Sequence, residues 1–137
     1  MKKMMSMAIG ILLTVSFVGA FDRVYDLSLD EFEDLQISEG GITLNNFSLA
    51  EDSSFMSENY AEVQVSFSIR NRNADTRIVT AMIVGRTANS IIWAVDASPL
   101  LSRVSANKTE VCTGSSYVSP GTVKPTTRIW LRVVGNF

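Results

Sequence analysis

The chain has 137 residues, no histidine, one cysteine and a formal net charge of −2. Without histidine the usual serine and cysteine triads, the common zinc sites and the readiest proton carrier near neutral pH are missing. A single cysteine rules out an intramolecular disulfide, and weak acidity without a basic cluster argues against nucleic acid as a partner.

The first twenty residues read as an export signal. Lys2 and Lys3 give a positive start, and Met4 to Val18 is apolar apart from Ser6, Gly10, Thr14 and Ser16. Gly19 and Ala20 supply the small-residue site ahead of Asp22 and Arg23. This order of regions predicts a signal peptide over 1–20, cleaved after Ala20, and a secreted or periplasmic product with no membrane span after cleavage. An uncleaved anchor is the alternative, because about 18 apolar residues just cross a bilayer. What remains is one domain, large enough to bury a core without metals or disulfides.

An acidic segment follows, at 21–41. Residues 22 to 39 carry seven acids and one base, whereas 40 to 137 carry seven acids and nine bases. Ser28-Leu29-Asp30-Glu31 fits a capping box, in which the serine hydroxyl and the glutamate carboxylate each satisfy a free backbone amide. Leu27 and Phe32 fall at staple positions, and Gly40-Gly41 supplies a stop. The pattern predicts a short helix at about 29–37 with an apolar stripe of Leu29, Phe32 and Leu35. Burying that stripe is worth roughly 4–8 kcal/mol before ordering costs, so the helix is expected to dock on the rest of the domain. If it stays free, the same three residues are the candidate partner contacts.

Asp26-Leu27-Ser28-Leu29-Asp30-Glu31-Phe32, running on through Leu35 to Ile37-Ser38, resembles the "DLSLEEL" segment near the mature N-terminus of TonB-dependent outer-membrane receptors. The plug and large barrel of such receptors do not fit in this length. The resemblance implies a Gram-negative source and a shared docking or sorting role, and it transfers no binding residues.

From residue 42 the period becomes strand-like. Ile42 and Leu44 alternate, then the phase slips at Asn45-Asn46 before Phe47 and Leu49, which predicts a bulge or a crossing between sheets. Val63, Val65, Phe67 and Ile69 alternate with polar residues as in a half-buried strand. Ile78 to Val84 is apolar almost throughout, as in a central strand covered on both faces. Ile91 to Val95 and Thr127 to Val134 add further strands, with turn residues at 71–75, 87–90, 107–108 and 119–121. About seven short strands with regular turn signals predict an all-β, antiparallel, immunoglobulin-like sandwich over 42–137. The Cys…Trp…Cys spacing of true immunoglobulin domains is absent.

The chemistry of the chain is sparse. Cys112 has no histidine to activate it and sits beside an apolar neighbour, as a buried small hydrophobe would. No phosphate-binding loop or calcium loop is present, and neighbouring acids such as Glu51-Asp52 read as surface charge. No catalytic, cofactor-binding or metal-binding residues are expected, and no cofactor. Trp93 and Trp130 lie in apolar runs, where core packing is the ordinary use and partner or sugar contact the other. The terminal Phe137, preceded by alternating Ile129, Leu131 and Val133, resembles the last strand of outer-membrane barrels. Eight membrane strands of about ten residues would leave almost no turns. The expectation is therefore a non-enzymatic interaction module of the cell envelope, whose partner is another envelope or secreted protein. The alternatives are a self-associating fibre or surface-layer subunit, and a small outer-membrane barrel.

Overall fold

The computed structural model describes residues 21–53 and 59–137, and the expected signal peptide lies outside them. Two antiparallel sheets pack face to face, as an all-β sandwich requires. The strands in chain order are β1 (Phe21–Ser28), β2 (Ile37–Glu39), β3 (Ile42–Asp52), β4 (Ala61–Asn71), β5 (Arg77–Arg86), β6 (Ile91–Ala97), β7 (Arg103–Val104), β8 (Thr109–Val118) and β9 (Arg128–Gly135). One helix, α1 (Leu29–Glu33), joins β1 to β2. Sheet I runs β1-β9-β5-β6 with β7 beside one end of β5, and sheet II runs β2-β3-β4-β8. Among the described residues no helix is long and apolar enough to cross a membrane.

The sandwich begins at Phe21, so the acidic segment is not a preface to a domain starting at 42. Phe21, Tyr25 and Leu27 point into the core while Asp22, Val24 and Asp26 face out, a two-residue period along β1. Arg23 holds the remaining inward position. Its guanidinium pairs with Glu39 of β2 at 2.9 Å and lies 4.7 Å over the Phe21 ring, which stacks on Phe137 at 4.1 Å. The acids of β1 meet the arginines of β9: Asp22 takes Arg132 at 2.6 Å and Asp26 takes Arg128 at 3.1 Å. Charge thus sets the register of a strand whose burial supplies the energy.

Helix α1 is shorter than its pattern predicts. The capping box forms, with Ser28 Oγ accepting from the Glu31 amide and Glu31 Oε1 accepting from the Ser28 amide. The helix stops at Glu33 because Ile37–Glu39 is claimed by β3. Gly40 and Gly41, with φ of +56° and +81°, form the two-residue turn of that hairpin. Both central residues need positive φ there, which is why a glycine pair serves. The expected docking does occur. Phe32 is fully buried, its ring 5.4 Å from Phe47, which in turn lies 5.0 Å from Phe67.

The slip in β3 is a bulge. Register shifts between Asn45 and Ser48, and Asn46 sits at φ +57°. Asparagine tolerates that left-handed geometry better than most side chains, and the bulge returns Phe47 to the core.

The sandwich is closed along one side and plugged along the other. Beside β6, Ser98 bridges Thr113 and Ser116 Oγ donates to the Ala94 carbonyl. A Cβ on Gly114 would lie 2.2 Å from the Asp96 carbonyl oxygen, so glycine is what lets the two backbones meet. The opposite side, between β1 and β2, carries the Arg23–Glu39 pair.

The β8–β9 connection is pinned at two points. Trp93 Nε1 donates to Thr126 Oγ1 at 2.9 Å in the interior. Glu51 accepts the Gly121 and Val123 amides at 2.9 and 3.0 Å, and these donors hold its carboxyl below the usual carboxylate range. A folded pKa below the unfolded one gives stability that is present above the unfolded value and lost as pH falls through the folded value. Thermal melts should therefore decline below about pH 5, and Glu51→Gln should flatten part of that decline. Asp22, held low by its hydrogen bonds to Arg132, keeps the rest. Melting curves for the two proteins that run parallel from about pH 7 to pH 3 would remove Glu51 from the acid response.

Candidate functional site

The residues singled out as partner contacts are not available on the surface. Phe32 and Leu35 are buried, and Leu29 packs partly buried against the same core. Cys112 is also buried, its thiol pushed up to about 12 by burial with a contribution from the Glu110 charge. A thiol with that pKa carries almost no thiolate at neutral pH. Among the described residues no group of three or more cysteine, aspartate or glutamate side chains is placed to hold a metal ion.

The surface feature that stands out is the outer face of sheet I. On β5 the inward residues Val79, Ala81 and Ile83 are buried, as the apolar run predicts. Its outward residues were expected to be covered as well, yet Ile78 is 46% exposed and Met82 42%. Register places their neighbours. Met82 lies between Arg132 of β9 and Asp96 of β6, and Val84 between Trp130 and Ala94. Val24 of β1 lies across from Arg132, and Val134 sits between Asp22 and Thr80. Val24 and Val134 are exposed as well, and Trp130 is half-buried rather than in the core. The result is a mixed face on which Val24, Met82, Val134 and the half-buried Trp130 alternate with the Asp22–Arg132 and Asp26–Arg128 pairs.

Two shallow cavities open on this face. One, about 390 Å³, is lined by Thr80, Met82, Asp96, Ser98, Arg132 and Val134. The other, about 570 Å³, lies under the β5–β6 turn and is lined by Val84, Arg86, Asn89, Ser90, Ile91 and Trp130. At the border of the first, Leu101 and Ser102 both have φ near +58°, and Leu101 is 79% exposed. Left-handed backbone in non-glycine residues costs about 1–2 kcal/mol each, and such strain gathers at working surfaces. It holds a large apolar side chain in water at the rim of this face.

Sheet II presents a different outer face. Ser48, Gln64, Ser66, Ser68, Thr113 and Ser115 cover its middle, where Ser48 and Ser66 hydrogen-bond to each other at 2.6 Å, while Val111 and Tyr117 of β8 stand 67% and 72% exposed nearer its ends. Small hydroxyl side chains of this kind are adequately served by water. Sheet I is the candidate site because its apolar residues stand around the two cavities, the exposed Met82 and Val134 at one and the exposed Ile91 with the half-buried Trp130 at the other. A partial signal was present in the sequence: a strand apolar on both faces asks for cover on both.

Searches against protein-family models, curated proteins and solved structures returned no match to this chain.

Proposed function

We propose that this chain is a non-enzymatic interaction module of the cell envelope, secreted or periplasmic, that engages another protein through the outer face of sheet I. The observation that carries this reading is β5, which buries Val79, Ala81 and Ile83 on its inner face and leaves Ile78 and Met82 exposed on its outer one. Exposed apolar side chains grouped on one face mark protein contacts more often than chance scatter does. The helix stripe is spent on the core, so it no longer competes as the contact region.

The fibre alternative draws less support. Edge-to-edge assembly needs open strand edges, whereas β6 and β8 lie against each other at Gly114 and at the Ser98–Thr113 bridge, and an inward-pointing arginine with its glutamate occupies the gap between β1 and β2. Inward charge on an edge strand is a recognised guard against strand addition.

A photo-crosslinking residue placed at Met82 should capture one discrete protein in cells that export this chain, while the same residue at Ser68 on sheet II should capture none. Equal capture from both positions, or none from Met82, would overturn the reading. Light scattering on the purified exported protein should give a monomer, and polymers that grow with concentration would return the fibre account.

A further inference from the structure

The second cavity carries a charge that the fold leaves unmatched. Arg86 and Arg128 stand directly opposite each other across the β5–β9 pair, on the outward side of both strands. Like charges in that relation destabilise a sheet. Arg128 is neutralised by Asp26, whose carboxylate and carbonyl both accept from it. Two outward positions further along β9, Arg132 is neutralised by Asp22 through two hydrogen bonds. Arg86 has no such partner: among the described residues its guanidinium makes neither an ion pair nor a hydrogen bond.

Its surroundings are mostly apolar. Val84 is buried beneath it in the cavity wall, Trp130 is half-buried beside it, and Ile91 is 68% exposed at the rim. No acid lines this cavity. An apolar hollow with a few placed polar groups is the usual form of a recognition site, and a guanidinium matches a carboxylate in geometry as well as charge.

Building on the proposed role of this face, we infer that the cavity at Arg86 and Trp130 receives an acidic-apolar segment of the protein partner. The aspartate or glutamate carboxylate sits on Arg86, and a neighbouring leucine, isoleucine, methionine or phenylalanine covers Trp130, Val84 and Ile91. Charge complementarity selects this occupant. A neutral sugar would use the indole but leave the Arg86 charge unmatched, and a basic segment would set a second unmatched positive charge beside it.

The test is selection of random displayed peptides on the exported, full-length mature protein, followed by affinity measurements on synthetic copies. Enriched peptides should hold an acid within about three residues of a large apolar side chain, the reach of one short extended segment. Arg86→Gln should weaken them by tenfold or more, Ile91→Ser severalfold, and Met82→Ser, at the other cavity, much less. Glutamine in place of the peptide acid should cost as much as Arg86→Gln does. Enrichment of peptides without acids, indifference to Arg86→Gln, no enrichment at all, or tighter binding of neutral oligosaccharides would each overturn the inference. Failure here is separable from failure of the wider reading. Capture from Met82 that survives Arg86→Gln would leave the face as an interaction surface and remove only this cavity from it.

Discussion

Phe32→Ala should cost about 3–5 kcal/mol, as other large aromatic truncations in cores do. On a domain of this size that is a fall in Tm on the order of 15 °C. The ring is completely buried and begins a row that continues through Phe47 and Phe67. Its helix is one and a half turns long, too short to hold itself in water, so its place on the sandwich depends on this burial. The control is Glu33→Ala on the exposed side of the same helix, which should move the melt by about 0.5 kcal/mol or less. Similar melting temperatures for Phe32→Ala and Glu33→Ala would mean that α1 is a loose appendage. Removal of 21–39 is not a trimming experiment on this fold, because it takes one strand from each sheet.

The second large effect is expected at Gly114. Alanine there puts a methyl 2.2 Å from the Asp96 carbonyl oxygen and 2.6 Å from Val95 Cγ1. The first obstacle is backbone, which cannot rotate away, so β6 and β8 must separate. Overpacking typically costs 1–3 kcal/mol, and about 3 kcal/mol is expected because the displaced strand also carries Trp93 and Val95 into the core. Hydrogen exchange should speed up along β6 and the adjoining part of β8, while β1 and β9 keep their protection. Gly121→Ala gives the contrast: its φ is +83° but its Cβ would meet nothing within 4 Å, so it should cost only the backbone strain, about 1–2 kcal/mol. If Gly114→Ala proves the milder of the two, the seam is not the close contact described here.

Much of the fold was legible in the residues because the sheet period is easy to read where one face is wet. The alternation of β4 and the slip in β3 both correspond to what formed. The start of the sandwich was harder. Phe21, Tyr25 and Leu27 alternate correctly, but Arg23 occupies the inner row, and its burial depends on Glu39, sixteen residues away. No local rule supplies such a partner. Ile37 to Leu44 was open to two readings, since a glycine pair ends helices and also turns hairpins. The pairing of 37–39 with 42–44 decided it, and that is a tertiary outcome. Trp130 shares its phase with Arg128 and Arg132, which marks the outer row, but a tryptophan within an apolar run is more often core. The position of β9 between β1 and β5 then places that row on the outer face of sheet I. Arg86 carried no signal of its own in the chain, because being unmatched is a property of its neighbours.

The place of β9 also dictates when this protein can fold. Among the described residues β9 is the sole strand partner of β1, and it fills the middle of sheet I between β1 and β5. Arg128 contacts Asp26 across a sequence separation of 102 residues. A ribosome adding about 5–20 residues per second needs on the order of ten seconds to span that gap. Through that interval Phe21, Tyr25 and Leu27 have been synthesised but have no sheet to join, and β5 has one flank bare. Sheet I is therefore completed only once β9 has been made, at the slow rate of distant pairings. For those seconds the nascent chain offers its N-terminal apolar residues to whatever receives unfolded polypeptide.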